Sequence, residues 1–98
     1  MERGGFTYIT TTKKHTVLYT GVTSALKNRI YQQKTKFFPN SFTARYHVDK
    51  LVYYEYFPHM SEAYEREKQI KSWKRDKKIA LINHFNPGWK DLYDEIED

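Results

Sequence analysis

The sequence contains no cysteine. That excludes a disulfide framework, a thiolate metal site and a cysteine nucleophile. A small domain without cross-links suits a reducing compartment. No stretch approaches the roughly 18 apolar residues that a membrane span requires. The N-terminus also lacks the basic-then-apolar pattern of a secretory signal. The expected location is the cytoplasm, with no membrane partner. Acidic residues are missing from nearly half the chain. Between Arg3 and Val48 there is no Asp or Glu, yet Arg3, Lys13, Lys14, Lys27, Arg29, Lys34, Lys36 and Arg45 all fall there. His15, His59 and His84 show no metal-ligand spacing and read as surface or packing residues.

What remains is small, aromatic and basic. Its 98 residues suit one domain, 1–98, with one core. Nine Tyr, six Phe and two Trp supply the bulk for that core. Net charge is +5. Asp91, Asp94, Glu95, Glu97 and Asp98 crowd an acidic tail over about 91–98. Without that tail and Lys90 the body carries 16 basic and 7 acidic residues, a net of +9. Such a body attracts polyanions, and aromatics among its basic residues offer surfaces on which bases stack. Simple solubility is the bland reading of the same charge.

Phe6 to Thr12 is rich in β-branched and aromatic residues and reads as a strand. Thr16 to Thr20 reads as its hairpin partner, with Gly21 ending it. Thr23 or Ser24 would cap a helix over about Ala25–Gln33, with Leu26 and Ile30 as its apolar face. Lys34 to Val48 is irregular, with a turn at Pro39-Asn40. Leu51 to Phe57 is apolar on both alternating faces and suits an interior strand covered on both sides, ended by Pro58. Ser61 would cap a helix running to about Trp73, with a further helix over about Asp76–His84. The stripe of that last helix is Ile79, Ile82 and Phe85. Leu92, Tyr93 and Ile96 suit a last helical turn packed on the body, before a frayed acidic end. The fold class is α+β: a three-stranded, mainly antiparallel sheet flanked by helices, in the order β-β-α-β-α-α.

A hairpin centred on the Lys13–Lys14 bond sets Tyr8 opposite Tyr19 on one face. The two phenols can be plain packing, or their hydroxyls can meet a phosphate or a water. Leu26, Arg29, Ile30 and Gln33 share a helix face, so Arg29 borders the buried stripe. It is either a snorkelling surface arginine or a guanidinium fork for phosphate. Ala63, Glu67, Ile70 and Lys71 share a face of the later helix. A carboxylate on that stripe needs a partner, either a basic side chain or a hard divalent ion that keeps several waters.

Three segments together resemble the GIY-YIG nuclease superfamily. They are Gly5-Phe6-Thr7-Tyr8-Ile9, then Leu18-Tyr19-Thr20-Gly21, then Arg29 eight residues after that glycine, with Glu67 on a later helix. The run from Glu65 to Arg75, followed by Lys77 to Ile82 and Asn86-Pro87, is similar to its short stand-alone bacterial branch. The resemblance implies an endonuclease that hydrolyses phosphodiester bonds with one divalent metal, Mg²⁺ or Mn²⁺. It implies catalytic roles for Tyr8, Tyr19, Arg29 and Glu67, with Glu67 holding the metal and Tyr19 assisting deprotonation of the attacking water. Gly21, Lys27, Gln33, Lys71 and Asn86 complete the expected substrate-binding set.

The expected partner is nucleic acid, DNA in the first instance, with a protein partner supplying specificity as a further expectation. The departure is Gln33, where family members often carry His or Tyr. An amide donates and accepts hydrogen bonds but is no acid or base near neutral pH. The alternative is therefore a catalytically weak or inactive nucleic-acid-binding module of the same fold. His47 is a loop residue that could reach such a site, and the acidic tail could instead serve a protein-interaction domain.

Overall fold

In the computed structural model, β-branched and aromatic residues put Gly5–Thr11 (β1) at the centre of a three-stranded antiparallel sheet. Leu18–Thr23 (β2) and Lys50–Phe57 (β3) flank it in the order β2-β1-β3. The helices are Leu26–Lys34 (α1), Phe42–Arg45 (α2), Met60–Ser72 (α3) and Arg75–Phe85 (α4), followed by a 3-10 turn at Tyr93–Glu95. This is the α+β order read from the sequence, with the short α2 added inside the segment read as irregular. Described residues run from 4 to 97, so Arg3 and Asp98 lie outside them. No helix among the described residues is long and apolar enough to cross a membrane.

The period of two along β1 sends its side chains to two different cores. Tyr8 joins Leu26 and Ile30 of α1, Leu51, and Leu92 and Ile96 of the C-terminal segment. Ile9 joins Val52, Tyr53, Ile70 of α3 and Ile82 of α4. Each fully buried Leu or Ile contributes about 1.5–3 kcal/mol. The sheet is therefore sandwiched, with α1 and the C-terminal segment on one side and α3 with α4 on the other. The Thr7 hydroxyl donates to the Ala63 carbonyl at 2.7 Å, which fastens α3 to the central strand.

Three expectations need correction. Gly21 lies inside β2 rather than ending it, and the hairpin register places Tyr8 opposite Gly21 and Tyr19 opposite Thr10. The loop takes two more residues than a turn centred on Lys13–Lys14 would, and its centre moves one residue on, to the Lys14–His15 bond. Thr12 Oγ1 accepts from Thr16 N at 2.8 Å, and His15 takes a left-handed φ of 60°. Second, β3 is an edge strand and β1 is the covered one. The apolar run of β3 is buried at Leu51, Val52 and Tyr53 only. A bulge between the Ile9 and Thr10 pairings fits an extra residue there, and Leu92 N–H donates to the Leu51 carbonyl at 2.8 Å. Third, the cap positions of α1 and α3 are Ala25 and His59, neither with a side-chain cap bond.

Candidate active site

Tyr8 is the fixed point of the site. Its ring is fully buried on the α1 side of β1. Gly21, its cross-strand partner, makes room for it. A Cβ at Gly21 would fall onto the phenol, 2.8 Å from Cε2. The register shift is an even number of residues, so Tyr19 stays on the face of Tyr8, as a diagonal neighbour. Their ring centroids are 6.4 Å apart at 44°.

One turn of α1 supplies the polar groups. Gln33 Nε2 donates to the Tyr8 hydroxyl at 3.0 Å. Arg29, one turn earlier, lies beside the same hydroxyl. Burial raises the Tyr8 pKa, Tyr19 adds to the rise, and the Arg29 and Gln33 hydrogen bonds oppose it. The Arg29 pKa is raised as well, chiefly by its hydrogen bond to Tyr8. Arg29 is half-buried, and among the described residues no carboxylate pairs with it. A desolvated guanidinium without a counter-ion is a site for an anion.

Arg29, Gln33 and Tyr19 line a pocket of about 110 Å³. Its opposite wall comes from Phe38, Ser41, Phe42 and Thr43. Ser41 shapes that wall by capping α2, its Oγ accepting from Ala44 N at 3.3 Å. This wall was not named from the sequence. The available signal was the density of Phe37, Phe38, Phe42 and Tyr46 around Ser41, all of them exposed.

Glu67 belongs to the other side of the sheet. Ala63 and Ile70 are the fully buried residues of α3. Arg66, on one flank of that stripe, reaches Glu55 of β3 at 3.1 Å. At about 100° per residue Glu67 takes the opposite flank, toward β2. Its side chain is 18% exposed and pairs with Lys71 at 3.2 Å, whose own side chain is 53% exposed. Among the described residues no hydrogen bond or ion pair joins Glu67 to Tyr8, Tyr19 or Arg29. The two sides are separated by β2, an edge strand with no side chain at Gly21.

Among the described residues no three His, Cys, Asp or Glu side chains cluster as a metal cage. One shielded carboxylate paired with an exposed ammonium fits a hard divalent ion that keeps most of its waters, and does not fit a site closed by protein ligands.

Two expected substrate contacts face elsewhere. Lys27 Nζ donates to the Ile96 carbonyl at 3.1 Å and lies over the Tyr93 ring, so it holds the C-terminal segment. Asn86 is buried, with Nδ2 donating to the Val52 and Lys90 carbonyls and Oδ1 accepting from Lys90 N. It closes the loop after α4. His47 is exposed in a left-handed turn and does not line the pocket.

The sequence profile of the GIY-YIG catalytic domain matches residues 4–80. No curated protein matches the chain. Among solved structures, a UPF0213 protein of Bacillus halodurans, determined in solution by NMR, is similar. Its TM-score is 0.57 at 25% identity, over 91% of this chain and 93% of that one.

Proposed function

The chain belongs to the GIY-YIG catalytic-domain family, and from that membership we propose that it is a metal-dependent endonuclease acting on DNA. One observation carries the reading. The half-buried Arg29 guanidinium, unpaired by any carboxylate among the described residues, sits beside the Tyr8 hydroxyl at the mouth of a pocket shared with Tyr19.

In this reading Arg29 takes a phosphate oxygen and stabilises the charge that grows on it during displacement. Tyr8, fully buried behind the pocket wall, would hold Arg29 and Gln33 in position through its hydroxyl. Tyr19, half-buried and at the pocket, orients the attacking water and assists its deprotonation. Glu67 would hold the divalent ion at the β2 edge, in the place that the Lys71 ammonium takes in this structure. When bound, that ion supplies Lewis-acid neutralisation of the phosphate and leaving oxygen.

Cleavage of duplex, single-stranded, flap and branched DNA with Mg²⁺ or Mn²⁺ tests the proposal. Glu67→Ala is expected to abolish the metal-dependent product while the folded circular-dichroism spectrum is kept. Arg29→Ala is expected to lower the rate by about 10²–10³, the scale of one lost transition-state donor. Wild-type cleavage rates in Glu67→Ala would remove that residue from the site.

A second reading has its own support in Gln33. The position one turn after Arg29 is filled by an amide bonded to Tyr8, with no group that titrates near neutral pH. A binding module without turnover predicts salt-sensitive retention of DNA and no product at any metal concentration.

A further inference from the structure

Phosphate chemistry at Arg29 leaves the far wall of its pocket unexplained. Phe38 and Phe42 line that wall and are 51% and 49% exposed, so two aromatic faces stand half in water next to a guanidinium. Phe42 also stacks on Tyr19, with centroids 6.1 Å apart at 24°. The wall is therefore continuous with the catalytic tyrosine.

Gln33, which lines the same pocket, is only 7% exposed, and its Oε1 has no hydrogen-bond partner. With Nε2 given to the Tyr8 hydroxyl, the Oε1 end of this buried amide is left without a protein partner. That is costly unless a ligand completes it.

A flat ligand with an apolar face and a polar edge answers both features. Its face stacks on the phenylalanines and its edge meets Gln33. Every nucleobase has this form, with hydrogen-bonding groups along one edge. The electrostatics agree, since the chain from residue 3 to 48 carries no acidic group and Lys36 and Arg45 are exposed on the segment that forms the wall. A base stacked within a duplex could not enter, so the nucleotide must be unpaired or extruded.

We propose that this pocket is a nucleobase subsite that seats the unpaired base next to the phosphate held by Arg29. The subsite rests on the phosphate reading of Arg29, and the experiment separates the two. Fluorescence anisotropy is measured at low salt in EDTA, so that nothing is cut. The probes are a short single-stranded deoxyoligonucleotide and one of equal length built of abasic sites.

Wild type is expected to prefer the base-bearing probe by roughly five- to a hundred-fold, the range of one stacked base. The Phe38→Leu/Phe42→Leu double variant keeps apolar bulk at two half-exposed positions. It is expected to lose most of that preference while its affinity for the abasic probe is unchanged. Equal wild-type affinity for the two probes overturns the subsite alone, as does a double variant that keeps the wild-type ratio. Unaltered affinity for both probes in Arg29→Ala overturns the phosphate reading instead, and a wild type that binds neither probe overturns both.

Discussion

Burial makes a phenol a weaker acid, and Tyr8 and Tyr53 use that in different ways. At Tyr8 burial keeps the hydroxyl protonated beside Arg29. Tyr53 faces the other core and donates to Glu55 Oε1 at 2.6 Å, and that oxygen also takes Arg66 Nε at 3.1 Å. Burial first, and the bond to Glu55 second, push the Tyr53 pKa up from 10.0 to about 12. The sign for stability follows from proton binding. Between pH 10 and about 12 an unfolded Tyr53 has lost its proton while the folded one keeps it. The unfolded state then binds fewer protons, so stability falls as pH rises through that window. Denaturant melts from neutral pH to pH 12 should show this alkaline loss. Tyr53→Phe should lessen its slope there, the raised pKa of Tyr8 leaving a remainder. An identical slope in the variant would mean that Tyr53 titrates alike in both states.

At the scale of elements, what was legible in the sequence is what depends on periodicity. The strand period put Tyr8 and Tyr19 on one face, and a two-residue error in register preserved that, because faces repeat every second residue. Helical spacing put Arg29 and Gln33 on the side of α1 that meets Tyr8. The position of β3 was not legible, because an apolar run records burial and says nothing about which neighbour provides it. Part of the cover over Leu51 comes from the distant Leu92 segment. The pocket wall escaped for a similar reason, since α2 has only four residues and depends on the Ser41 cap.

The C-terminal segment is the last helical turn packed on the body that the sequence suggested. Leu92 and Ile96 are each 5% exposed in the cluster that holds Tyr8, and Asp91 pairs with Lys34 at 2.5 Å. Leu92→Ala is therefore expected to cost about 2–4 kcal/mol. Urea titration measures that loss, and a change below about 0.5 kcal/mol would class Leu92 with ordinary surface positions.

Over the whole molecule the charge is unevenly placed, and the pocket is on the side that favours an anion. Asp91 of the tail lies against α1 through Lys34, whereas Lys36 and Arg45 are exposed and no acidic residue precedes Asp49 as far back as Arg3. If a nucleic-acid strand enters with its base between Phe38 and Phe42, its neighbouring phosphates pass these two cations. Each phosphate neutralised by a basic side chain releases counter-ions, so affinity falls with salt in proportion to the number of such contacts. The Lys36→Ala/Arg45→Ala variant is expected to bind single-stranded DNA more weakly at every sequence. The magnitude of its log-affinity against log-salt slope should shrink by about one to two. Stability should be unchanged, because both side chains are exposed and without partners among the described residues. Anisotropy titrations over a range of salt decide the matter. A slope equal to that of wild type would place the phosphate track away from α2, and the strand would then have to approach Arg29 from the hairpin side, past Lys13 and Lys14.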